Sequence, residues 1–186
     1  MADLVSGLGV PASPDATAVQ GPDPRELARL FAGASQPQSN AAPSSPVDPL
    51  APVMAKIAQG ESGGNKDPYT ALYGGGNFTP SPSGANYGFP DWEGRPGPAG
   101  NSRAAGKYEF EPATWNRAVK GYMAHVAPDT PPPDYNNRAD QDRVGKFWAM
   151  KIYAQNTGRS LIDDATANRV DYHALAGEWP SLAPGT

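Results

Sequence analysis

The chain has 186 residues, among them 22 Pro and 21 Gly, no Cys, and a formal net charge of −4. That length suits one domain with an appendage, and so much Pro and Gly demands long loops or an unstructured segment. The lack of Cys excludes disulfides, thiolate nucleophiles and Cys-based zinc sites, and the slight acidity argues against a nucleic-acid binder.

Residues 1–49 hold eight Pro, two bases, five acids and a single aromatic, Phe31. Such a stretch cannot bury enough apolar surface to offset its ordering entropy, so residues 1–48 read as a low-complexity tail. One island interrupts it: after Asp23-Pro24, the residues Leu27, Leu30 and Phe31 fall on one helical face. That island is either a transient helix or an apolar stripe that docks on a partner. Met1 to Val10 has no basic n-region and no apolar core, so no Sec signal is expected. No apolar run approaches the roughly 18 residues of a membrane span.

The domain is expected over residues 49–186. Asp48 and Pro49 form a helix start, and Leu50, Val53, Met54, Ile57 and Ala58 follow at helical spacing up to Gly60. Tyr69 to Tyr73 reads as a short strand, with Gly74-Gly75-Gly76-Asn77 as a hairpin turn into Phe78. Residues 79–106 read as one long loop. A helix opens at Glu111-Pro112 with Trp115, Ala118, Val119, Tyr122 and Met123 inward. Beyond a Pro-rich link, a second runs from near Asn137 to Gly158 with Val144, Phe147, Trp148 and Ile152 inward. A last helical stretch carries Val170, Tyr172 and Leu175. The fold class expected is α+β, mostly α, with one small hairpin.

Glu61 stands where an amphipathic helix gives way to the Gly- and Asn-rich segment from Ser62 to Asp67. Breaking a glycosidic bond needs a proton donor that stays protonated near neutral pH, which an apolar or half-buried site provides. By position alone, a solvated Glu near a helix end is the commoner case. Two further segments bear on it. Asn101-Ser102-Arg103-Ala104-Ala105-Gly106-Lys107-Tyr108-Glu109-Phe110 brings small residues and aromatics to the start of a helix, and Gly177-Glu178-Trp179-Pro180-Ser181-Leu182 lies near the end.

Together the ordered segments resemble phage lysozymes of the lambda endolysin kind. The resemblance rests on Glu61-Ser62-Gly63, Gly74-Gly75-Gly76-Asn77-Phe78-Thr79, Ala104-Ala105-Gly106-Lys107-Tyr108-Glu109, Trp115 and Trp179-Pro180-Ser181-Leu182. It covers about residue 50 to the end. It implies a lysozyme-like domain in which the hairpin is a lip of the cleft and Glu61 is the general acid. It also implies that Tyr108, Glu109 and the Ala104, Ala105, Gly106 turn bind the sugar, with Tyr73, Phe78 and Ser102 as further lining. The family carries Gln where this chain has Glu109. Glu109 either replaces that Gln as a hydrogen-bond acceptor, which we favour, or is a second cleft carboxylate that raises the pKa of Glu61 and supports hydrolysis.

The resemblance implies cleavage of peptidoglycan between N-acetylmuramic acid and N-acetylglucosamine by a lytic transglycosylase, with no cofactor and no metal. Muramidase hydrolysis is the close alternative, with Asp67, Asp91 or Glu93 as a water-activating base. The tail favours a virion-associated enzyme held to virion structural proteins through residues 1–48. A soluble endolysin in the host cytoplasm and a non-catalytic structural component of a virion stand beside it. His125 and His173 lack metal-ligand spacing, Asp163-Asp164 reads as a helix start, and Ser62 lacks a nucleophile-elbow context.

Overall fold

The computed structural model describes residues 48–80, 86–97 and 100–185. The expected tail helix at Leu27–Phe31 lies outside them. Helix α1 (Ala51–Ser62) buries Val53, Met54 and Ile57, and Leu50 before it is equally buried. Asp48 starts the helix by accepting the Leu50 N–H on Oδ1 at 3.0 Å and the Ala51 N–H on its carbonyl at 3.1 Å. Its other carboxyl oxygen pairs with Lys146. The helix runs past Gly60, so Glu61 and Ser62 form its last turn and do not follow it.

Helix α2 (Pro112–His125) opens on a proline, whose missing N–H costs nothing there, and buries Trp115, Ala118, Val119 and Tyr122. Helix α3 (Arg138–Thr157) is capped by Asn137, whose Oδ1 accepts the Ala139 N–H at 2.9 Å. It ends at Gly158 with φ +68°, a left-handed stop. Val144, Phe147 and Trp148 point inward as expected, while Ile152 is only half-buried. The last helical stretch is divided. Ser160 caps a short α4 (Leu161–Thr166), Asn168 breaks the chain at φ +52°, and Tyr172–Leu175 and Pro180–Leu182 are single 3-10 turns.

Helix α3 is the hub, packed against α2, α4 and the Tyr172–Leu175 turn, while α1 packs against the Pro180–Leu182 turn. The interior is aromatic. Trp115 and Tyr135 meet edge-on at 4.6 Å, Phe89 lies 4.5 Å from Tyr135, and Phe110 bridges Trp115 and Trp179. Among the described residues no helix is long and apolar enough to cross a membrane.

The strand content differs from expectation. Strands β1 (Arg95–Gly97) and β2 (Gly100–Ser102) form a two-stranded antiparallel sheet with Pro96 opposite Asn101. They lie inside the stretch read as loop, because Pro, Gly, Asn and Ser carry no strand signal. The segment read as a hairpin does double back, but not as paired strands. Pro68–Thr70 is a 3-10 turn capped by Asp67, and pairing is limited to an Ala71–Asn77 bridge. Leu72 pairs instead with Ala105. Gly74, Gly75 and Gly76 all have positive φ, between +74° and +98°, which prevents a regular ladder. The fold is mostly helical with one small antiparallel sheet.

Candidate active site

Glu61 opens onto a cleft of about 480 Å3 between the end of α1, the glycine loop and the 105–110 turn. Its lining includes Ser62, Asn65, Lys66, Leu72, the three glycines, Asn77 and Glu109. Two carboxyl groups therefore share one cavity. Burial holds the Glu61 carboxyl above the usual carboxylate range, although hydrogen bonds from Ser181 pull the other way. Glu109 is pushed up to about 7, first by burial, then by the charge of Glu61, then by that of Glu111.

Glu109 owes its direction to the turn that carries it. Its N–H donates to the Gly106 carbonyl at 3.1 Å, and Ala105 and Phe110 pair as the turn closes. At the corner Glu109 takes φ +44°, a conformation that a residue with a Cβ adopts only under constraint. Tyr108 and Phe110 on either side are buried, which sends the carboxyl between them to the cleft.

Tyr108, expected to bind the sugar, does not line the cleft. A sugar platform must be exposed, and this ring is 1 % exposed. It fills the space left by Gly145, where a Cβ would come within 2.7 Å of the ring. Its hydroxyl donates to Asp142 Oδ1 at 2.7 Å, and Lys107 Nζ and the Tyr69 hydroxyl donate to the same carboxylate. This cluster clamps the two residues before Glu109 onto α3.

Ala104, Ala105 and Gly106 are buried too, so their role is backbone support. The Tyr73 N–H donates to the Ala104 carbonyl at 3.0 Å and the Gly106 N–H to the Ala71 carbonyl at 2.8 Å, which joins the turn to the glycine loop. Gly106 has no room for a Cβ, because the Tyr135 hydroxyl and Gln141 Oε1 occupy its place. Tyr73 is not among the cleft-lining residues. Phe78 turns to a separate groove of about 340 Å3 with Asp67, Tyr69 and Arg138. Ser102 is not among the cleft-lining residues either, and donates to Glu111 Oε1 at 2.6 Å at the start of α2.

None of the three loop acids lines the cleft of Glu61. Asp67 pairs with Arg138, Asp91 pairs with Arg103, and Glu93 shares a shallow hollow with Asp91 and Trp92. A larger groove, about 550 Å3, lies between Tyr87, Asn116, Lys120 and Asp134. It holds one carboxyl, Asp134, whose Oδ1 is engaged by Asn136, so it lacks a paired acid.

No protein-family model, curated protein or solved structure matches the chain.

Several residues that build the site escape sequence reasoning. Asn77 Nδ2 reaches Asn65 Oδ1 at 2.9 Å and Thr70 Oγ1 at 2.6 Å, and Asn65 Nδ2 reaches the Gly76 carbonyl at 2.8 Å, so the two amides hold the glycine loop in shape. Gln141 is buried and joins three segments, donating to the Tyr69 and Tyr135 carbonyls and accepting the Lys107 N–H. The Ser62 hydroxyl donates to the Lys107 carbonyl at 2.9 Å and so ties the last turn of α1 to the Glu109 turn. A polar residue in a helix pattern carries no mark of which distant backbone it will meet.

Proposed function

We propose that this protein cleaves the glycan strand of peptidoglycan between N-acetylmuramic acid and N-acetylglucosamine, with Glu61 as the acid. The observation that carries the reading is the cleft itself, open along the glycine loop and holding Glu61 with its pKa raised by burial. A carboxyl group whose pKa is raised by burial, beside a groove of backbone and amides, suits protonation of a sugar–sugar oxygen.

In the reaction, neutral Glu61 gives its proton to the glycosidic oxygen as the C1–O bond breaks and its electron pair goes to that oxygen. The N-acetyl oxygen of the substrate stabilises the oxocarbenium-like carbon. The muramyl 6-hydroxyl then attacks that carbon, and Glu61, now ionised, takes its proton. The product is a 1,6-anhydro sugar, and no separate base is needed.

Glu109 favours a second reading, hydrolysis. It is the other carboxyl of the cleft, and in its ionised form it accepts the proton of an attacking water. The two outcomes differ in mass by one water. Purified cell walls embedded in a gel are expected to clear around the wild type and not around Glu61→Gln, with a loss on the order of 100-fold or more. Mass spectrometry of the released fragments then assigns the chemistry, and anhydro ends mean transglycosylation. A wild type that leaves walls intact would return the protein to a structural role.

Attachment to a virion through residues 1–48 is proposed on composition alone. A chain lacking residues 1–47 is expected to keep its cleavage activity and to lose particle association.

A further inference from the structure

The last turn of α1 lies against the Pro180–Leu182 turn, and this brings together residues 120 positions apart. Gly60 makes the approach possible. A Cβ there would stand 2.6 Å from Ser181 Cβ and closer still to its hydroxyl, so any side chain at position 60 would displace Ser181. With that space open, Ser181 Oγ–H donates to Glu61 Oε1 at 2.5 Å, and the Ser181 N–H points at the same oxygen at 3.4 Å. Among the described residues no hydrogen bond to Glu61 Oε2 accompanies them.

We infer that Ser181 is a positioning residue for Glu61, holding Oε1 as an acceptor so that the carboxyl proton resides on Oε2. A backbone N–H cannot reverse its direction, whereas a hydroxyl can rotate. A proton on Oε1 would therefore face the Ser181 N–H, and a proton on Oε2 meets no such conflict. The neutral acid then has one fixed orientation, with the transferable proton on the oxygen that the protein leaves to a ligand. The same two donors favour the ionised form, so they hold Glu61 below the value that burial alone would set. Burial and the two donors thus act on the carboxyl in opposite directions. Gly60 and Ser181 thus form one device with Glu61, built from both ends of the domain. That this device serves proton donation rests on the glycan-cleaving function proposed above; the placement of the proton does not.

The test uses full-length protein with Ser181→Ala, read in two ways. Carbon-13 NMR of the Glu61 carboxyl gives its titration directly. The pH dependence of wall cleavage gives kcat and KM. Loss of the hydroxyl donor, with the backbone N–H retained, is expected to raise the Glu61 pKa by about one unit and lower kcat about tenfold, with KM within roughly twofold. The alkaline limb of kcat should move upward with the titration, a shift that mere loss of stability would not produce. Gly60→Ala is expected to reproduce both effects by displacing Ser181. Adding Ser181→Gly to Gly60→Ala removes the collision, so thermal stability should return while kcat stays low. A Glu61 that titrates identically in wild type and Ser181→Ala overturns the inference, whatever the activity. If the titration moves as expected but wild type leaves walls intact, the positioning holds and the glycan-cleaving function falls.

Discussion

Glu109 is the residue at which the local and the global demands conflict. Its backbone is left-handed at φ +44°, its carboxyl shares a cleft with Glu61, and its pKa is pushed to about 7. A carboxyl raised in the folded state binds more protons there than in the unfolded chain. Its contribution to stability is therefore full below its unfolded value, near 4.5, and is lost as pH rises toward about 7. Glu109→Gln cannot ionise. The variant is expected to match the wild type in urea unfolding near pH 4 and to exceed it above pH 8. Because the cleft is open to solvent, the gain should be on the order of 1 kcal/mol and not the full value of the shift. An advantage that is equal at both pH values would mean that packing, and not charge, separates the two side chains. Activity separates the two roles of the residue. A transglycosylase is expected to retain most of its rate in Glu109→Gln, whereas a hydrolase that uses Glu109 as base should lose about 100-fold, measured on purified walls.

At the scale of elements, the cleft is held by polar ties between segments with little regular structure of their own. Asp142 of α3 accepts from Lys107, Tyr108 and Tyr69, and so connects the Glu109 turn and the Pro68–Thr70 turn to the hub helix. Asp142→Ala would leave the Tyr108 hydroxyl buried without its acceptor. The expected cost is about 2–3 kcal/mol in urea unfolding, while Tyr108→Phe, which removes the donor instead, should cost about 1 kcal/mol. If the two costs are equal, the carboxylate does no more than receive that single bond. Ser62 is a smaller tie between α1 and the same turn. Ser62→Ala is expected to cost roughly 1 kcal/mol and to lower the melting temperature by a few degrees, because the half-buried Lys107 carbonyl loses this donor. The glycine loop follows the same logic, with Asn65 and Asn77 supplying the hydrogen bonds that a strand ladder would otherwise supply.

At the scale of the whole molecule, Asp48 ties the start of the first described helix to the hub helix. Its carboxylate accepts the Leu50 N–H just before α1 and pairs with Lys146 of α3. A chain lacking residues 1–47 should therefore melt within about 2 °C of the full protein, while removal of Asp48 as well should cost about 1 kcal/mol and several degrees by calorimetry. Equal melting for the two truncations would deny that Asp48 holds the start of α1. The far end of the chain matters equally. Trp179 donates from Nε1 to the Tyr108 carbonyl at 3.0 Å, and Ser181 reaches Glu61. The C-terminal segment thus closes over both the turn that carries Glu109 and the helix that carries Glu61.

The helices are legible in the chain because burial periodicity is a local property. Leu50, Val53, Met54 and Ile57 announce α1, and Trp115, Ala118, Val119 and Tyr122 announce α2, before any contact is known. The cap at Asn137 and the break at Gly158 are local for the same reason. Glu61 is singled out as a candidate acid by the resemblance that the ordered segments around it carry, since its position alone fits a solvated Glu better. Tyr108 misleads because an aromatic beside small residues looks the same whether its ring is exposed or buried, and the space left by Gly145 on a distant helix decides it. The β1–β2 sheet escapes a reading of the chain because its residues have no alternation to read. The direction of Glu109 and the pairing of Glu61 with Ser181 depend on backbone φ, on the absence of a side chain at Gly60 and on contacts across the whole domain. The sequence by itself determined the helices and a candidate acid; only the tertiary structure decided which side chains face the cleft, because facing is set by packing between segments that no local pattern connects.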